Sequence, residues 1–201
     1  SENQMSHKGS HDMNRTLTAL ALLLVTTTTS AHTGHNVSGF ASGLAHPFSG
    51  MDHLLAMLAV GLWAGQLGGQ RIWQLPATFM AMLAGGAFFG IWMPSLTQIE
   101  PGIAASVLIL GLLIASPSKL ALSISFVLTA AFGIFHGYAH GSEMPSAATT
   151  LTYAAGFLLA TAALHVSGIV MGNAMRERFV RLVQVMGMGI AAMGAWMLVT
   201  V

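Results

Sequence analysis

A chain of 201 residues that is 54% hydrophobic and only 6% charged cannot cover a water-soluble surface, where about a quarter of residues are normally charged. The composition therefore predicts an integral membrane protein, and apolar runs of about 17 to 22 residues make it all-α. A net charge of +1 excludes a basic nucleic-acid face, and the absence of cysteine excludes disulfide frameworks, thiolate metal sites and a thiol nucleophile.

Residues 1–12 are polar and aperiodic, unlike the rest of the chain, and read as a non-native leader or a misassigned start. Residues 13–31 have the pattern of a secretory signal: Arg15 near the start, an apolar core at 17–25 and a small-residue exit at Thr29-Ser30-Ala31. Cleavage after Ala31 would make His32 the mature N-terminus. The rival is an uncleaved helix, although its apolar core is short for a hydrocarbon layer of roughly 30 Å. The segment 32–45 then reads as extracytoplasmic. Within it, His32-Thr33-Gly34-His35 is either a loose metal-capture tail, with a free amine beside imidazoles, or simply a polar tail.

From residue 46 to 201 the chain predicts a compact bundle of six transmembrane helices, at about 51–68, 73–93, 101–116, 120–140, 150–171 and 180–200. The loops are short, so sequential helices should be antiparallel neighbours. Arg71, Lys119, Arg176, Arg178 and Arg181 all fall in loops on one side, which should be cytoplasmic, leaving both termini outside. Asp52, Glu100 and Glu143 fall at the opposite, outer level, and only Glu177 lies among the arginines. Trp92 and Trp196 near the outer boundary, with Trp63 and Trp73 near the inner one, fit an aromatic belt. The fourteen methionines read as lipid-facing or packing residues, and the 23 glycines suit close helix packing in lipid.

Two polar clusters at the outer level interrupt the apolar runs. The first is His46-Pro47-Phe48-Ser49-Gly50-Met51-Asp52-His53; the second is His136-Gly137-Tyr138-Ala139-His140-Gly141-Ser142-Glu143. His136 and His140 stand four apart on one helical face, and Glu143 extends that face outward. Gly133, Gly137 and Gly141 form a parallel stripe of small residues that admits a close neighbour. His46 and His53 would share a face, with Met57 one turn deeper, if their helix begins at Pro47.

The first cluster running into Leu54-Leu55-Ala56-Met57-Leu58-Ala59-Val60-Gly61-Leu62-Trp63-Ala64 resembles the signature of the HupE/UreJ family of nickel permeases, and the second resembles that family's other characteristic segment. The resemblance implies secondary uptake of Ni²⁺, with Co²⁺ handled by some members, at a bacterial inner membrane. It also implies an association with hydrogenase or urease maturation. The functional residues it implies are His46, Asp52, His53, His140 and Glu143, with Glu100 a further acid of the kind the family uses. The ion is then cargo, and no resident cofactor is expected.

The residues lead independently to a metal. Imidazole with carboxylate suits Ni²⁺, Co²⁺, Zn²⁺ and Cu²⁺ rather than Mg²⁺ or Ca²⁺, but the donor set alone does not rank these ions. His136 reads equally as a ligand or as support one turn below His140. His165, alone in the fifth helix, reads as a hydrogen-bonded interior histidine or as an exit ligand. Asp52 with His53 by themselves would also suit a helix cap, and Glu100 before Pro101 would suit a helix N-terminus. An intramembrane zinc enzyme and a haem protein are the competing classes. His-Glu-x-x-His and Gly-x-Ser-x-Gly are both absent, and the histidines are too acid-flanked and too near one surface to suit haem. No phosphate-binding Gly-x-x-x-x-Gly-Lys-Ser/Thr loop is present, so the drive would be a gradient rather than ATP.

Overall fold

A computed structural model of the chain describes residues 39–93, 99–116, 120–142 and 150–201. The signal pattern, His32, His35, Lys119 and Glu143 lie outside those residues. Every regular element among the described residues is helical: α1 (Gly39–Ala45), a 3-10 turn (His46–Phe48), α2 (Met51–Leu67), α3 (Arg71–Trp92), α4 (Ile99–Ala115), α5 (Leu122–Ser142), α6 (Thr150–Met175) and α7 (Val180–Thr200). Helices α2 to α7 fall on the six predicted apolar stretches. Helix α1 does not: its seven residues are too short to register as an apolar run.

By length and apolarity α3, α5, α6 and α7 each suffice to cross a membrane. The segment Gly39–Phe48 and helix α2 meet the same test only as a pair bent by 78°, and α4 is apolar but shorter. The described residues thus give four spans, or five with the bent pair, beside the six expected from the sequence. Local chemistry explains the bend. Pro47 supplies no backbone donor, Ser49 folds back to bond the His46 carbonyl through both its N–H (2.9 Å) and Oγ (2.6 Å), and Gly50 is extended before the helix restarts at Met51. His46 therefore does not share a continuous helix with His53, contrary to the arrangement that a start at Pro47 would have produced.

The bundle is assembled from close pairs: α2 with α6, α3 with α5, α4 with α7, and α1 against α6. Glycine makes each approach possible. A Cβ at Gly137 or Gly141 of α5 would strike the Leu83 or Ala87 carbonyl of α3, and one at Gly61 of α2 would strike the His165 carbonyl of α6. Gly111 of α4 meets Ala191 of α7 in the same way. In lipid, where apolar burial gives helices little reason to associate, such backbone-to-backbone packing supplies the attraction.

The core between the pairs includes Met57, Val60, Trp63, Phe79, Leu83 and Leu110. Trp63 is only 2% exposed, so it belongs to this core and not to an interfacial belt; Trp73, Trp92 and Trp196 are exposed as the belt reading requires. Hydropathy cannot separate a tryptophan facing lipid from one facing a neighbouring helix, which is why position near a helix end misled.

The two ends of α2 differ in charge. At its C-terminal end, Gly68 and Gly69 turn the chain with positive φ (68° and 60°), and the Arg176 guanidinium lies against Gly68. Arg71 Nη1 donates to the Leu120 carbonyl at 3.3 Å nearby, and Gln66 Nε2 to the Ile114 carbonyl at 3.2 Å. At its N-terminal end are Asp52 and His53. Seventeen residues separate these ends by about 25 Å at the usual helical rise of roughly 1.5 Å per residue.

Candidate metal site

Three chain segments bring imidazoles together at the N-terminal end of α2. The bent 3-10 turn carries His46, the first turns of α2 carry His53, and the glycine-backed face of α5 carries His136 and His140. The ring centroid of His140 lies 3.9 Å from that of His53 and 4.7 Å from that of His46. His53 is 4.9 Å from His136 and 6.5 Å from His46. The α5 pair meets one partner because residues four apart stack on a single helical face. His46 reaches the same partners by a different route, through the bend.

A cleft of about 230 Å³ opens beside these rings, with His46, Ser49, Asp52, His53 and Glu100 among its walls. Glu100 comes from the first turn of α4, opened by Pro101. The cleft thus joins two acids to two of the histidines, while His136 and His140 lie deeper and are buried. Phe157 of α6 packs against His140 at 4.2 Å, and with Tyr153 it forms an aromatic wall beside His46 at 6.0 and 5.7 Å.

Hydrogen bonding fixes one tautomer. His53 Nδ1 lies 3.0 Å from Asp52 Oδ1; with the N–H donating to the carboxylate, Nε2 is left as a lone pair, the arrangement common behind metal-bound histidine. His53 Nε2 and both ring nitrogens of His136 and of His140 are buried without a hydrogen-bond partner among the described residues. Buried polar atoms are ordinarily paired, since an orphan costs about 1–3 kcal/mol, and five such atoms gather in this one cluster.

The rings stack edge-on or tilted rather than aiming nitrogens at one point, and among the described residues no three His, Asp or Glu side chains form a ready coordination set. Holding a cation here would take ring rotation about the side-chain bonds.

Of the residues singled out in the sequence, His46, Asp52, His53, Glu100, His136 and His140 come together; Glu143 and His32 lie outside the described residues. His165 is apart from the cluster, with Nδ1 2.7 Å from the Met57 carbonyl. The sequence reading missed the aromatic residues. Phe79 of α3 stands edge-on to both His136 (5.7 Å) and His165 (5.2 Å), and nothing around it in the sequence distinguishes it from a core phenylalanine. Tyr153 and Phe157 had a usable signal, since 153, 157, 161 and 165 repeat every four residues along one face of α6.

Comparison with known proteins agrees with the sequence resemblance. Residues 20–197 match the family described as HupE / UreJ protein. Protein HupE of Rhizobium leguminosarum bv. viciae is 43% identical over 152 residues, covering 76% of this chain and 80% of that protein. No solved structure matches. Because the family match runs through all seven described helices, the chain belongs to the HupE/UreJ family, a family of metal transporters and not of enzymes.

Proposed function

We propose that this protein takes up Ni²⁺, with Co²⁺ as the alternative cargo, across a bacterial cytoplasmic membrane through the histidine cluster and its acidic cleft. The observation that carries the reading is the convergence of four imidazoles from three chain segments beside Asp52 and Glu100, with buried nitrogens of His53, His136 and His140 unsatisfied among the described residues. Acids at the cleft attract and partly dehydrate a cation; neutral imidazoles below suit a borderline transition metal better than Mg²⁺ or Ca²⁺. In the same reading Glu143 is a further acidic ligand and His32 a capture ligand on a cleaved N-terminus.

In this reading six segments span the bilayer, α1 with α2 acting as one bent crossing, and both termini face outward. The arginines gathered near Gly68 then face the cytoplasm, in keeping with the positive-inside rule. The drive is the membrane potential. A dication crossing a field that is negative inside gains about 4.6 kcal/mol per 100 mV, enough for roughly thousandfold accumulation without any coupled ion. Delivery to hydrogenase or urease maturation fits the cargo.

Uptake of radiolabelled Ni²⁺ by cells expressing the chain tests the reading, beside His46→Ala, Asp52→Asn and His140→Ala variants matched for membrane abundance. Accumulation by wild type that all three variants lose supports one permeation site. Accumulation of Co²⁺ or Zn²⁺ but not Ni²⁺ reassigns the ion, and no metal movement at all refutes transport.

A further inference from the structure

The unsatisfied polar chemistry continues below the outer cluster. His165 of α6 is 1% exposed, its Nδ1 is committed to the Met57 carbonyl at 2.7 Å, and its Nε2 has no partner among the described residues. That bond sets the tautomer. With Nδ1–H donating to a carbonyl, Nε2 presents a neutral lone pair, the form in which histidine binds a metal.

Thr161 stands one turn away on the same face of α6 and is fully buried. Buried hydroxyls in a helix normally bond back to a carbonyl of the preceding turn. Ser106, Ser125 and Thr129 do so, at 2.7, 3.2 and 2.7 Å. Thr161 Oγ1 does not, and it has no other partner among the described residues. Between His165 and His136 of the outer cluster stands the Phe79 ring, edge-on to His136 at 5.7 Å and to His165 at 5.2 Å.

We propose that Thr161 and His165 form a second, deeper station for the transported divalent cation, reached from the outer histidines past the Phe79 ring. The proposal rests on the transport reading and extends it. One imidazole, one hydroxyl and retained water make a weak coordination sphere, which suits a station that must hand its ion on: conduction needs sites that bind well enough to admit an ion and weakly enough to release it. Phe79 supplies an apolar barrier between the stations, and its side chain must swing aside for the ion to pass.

The rival role for His165 is a strut tying α6 to α2 through Met57, and substitution chemistry separates the two. His165→Asn keeps an amide donor near the Nδ1 position and removes the Nε2 lone pair, whereas Thr161→Val keeps the side-chain shape and removes the hydroxyl. Equilibrium dialysis of the purified full chain against radiolabelled Ni²⁺ should find, beside the ion of the outer cluster, a weakly bound ion that depends on His165. His165→Asn should lose that weak ion and keep the one at the outer cluster, with uptake in cells down about tenfold, and Thr161→Val should weaken the same ion severalfold. If wild-type cells take up no nickel, the transport reading fails, and dialysis still decides the station: a weakly bound ion that His165→Asn loses upholds it, and binding unchanged in both variants overturns it. If wild type transports but both variants retain its binding and uptake, the second station is refuted and His165 is a strut. Should His165→Asn fail to fold, the Thr161→Val result decides alone.

Discussion

Helix α2 has one chemistry at each end. Its first turn carries Asp52 and His53 into a cleft shared with Glu100, and its last turn runs into Gly68, Arg71 and the Arg176 guanidinium. The acidic end leaves buried nitrogens unsatisfied, whereas at the basic end Arg71 and Gln66 are spent on the Leu120 and Ile114 carbonyls. Polar groups at the basic end have partners; buried ones at the acidic end are left without them among the described residues. That contrast separates the two ends more sharply than charge does.

The strongest way to break the comparison is to remove what holds both ends in place. Gly137→Leu would drive a side chain into the Leu83 carbonyl and part α5 from α3. The expected result is no folded protein in the membrane, read as loss of detergent-stable monodisperse material. Next in size, His53→Ala or His140→Ala at the acidic end should abolish nickel uptake at unchanged abundance, because each ring touches two or more others of the cluster.

Asp52→Asn is a finer cut. It leaves His53 in place but removes the carboxylate that selects its tautomer, so metal affinity measured by dialysis should fall about 10- to 100-fold. Glu100→Gln should lower the apparent affinity for uptake only severalfold, and the difference from wild type should shrink in high salt, because an acid exposed at the cleft acts through a screened field. The smallest effect belongs to the basic end. Arg71→Gln removes one partly buried hydrogen bond and should cost about 1 kcal/mol of stability, with uptake within about twofold of wild type. A large uptake defect there would erase the distinction between the ends.

Much of this was legible in the sequence, for identifiable reasons. Helices α2 to α7 appear as apolar runs because each must bury or present an apolar surface along its whole length. His136 and His140 could be placed together because a four-residue spacing fixes geometry within one helix. A seven-residue spacing puts His46 and His53 on one face only if their helix begins at Pro47; it begins at Met51, and the two meet across a bend that Pro47, Ser49 and Gly50 impose. The arrival of Glu100 at the cleft and of Phe79 between two histidines depends on contacts between helices, which no spacing within one helix encodes. Trp63 failed for a related reason, since its neighbours and not its position along the chain decide what it faces.

The glycine contacts also divide the molecule mechanically. Pairs whose backbones touch cannot slide or separate without losing many contacts at once, so α1, α2 and α6 behave as one block, α3 with α5 as a second and α4 with α7 as a third. His46, His53 and His165 ride on the first block, His136, His140 and Phe79 on the second, and Glu100 on the third. The histidine cluster is therefore built across a seam. A rocking of the first block against the second would part His46 and His53 from His136 and His140 and in the same motion carry His165 away from Phe79, so a single displacement would alter the outer cluster and the contacts beneath it together.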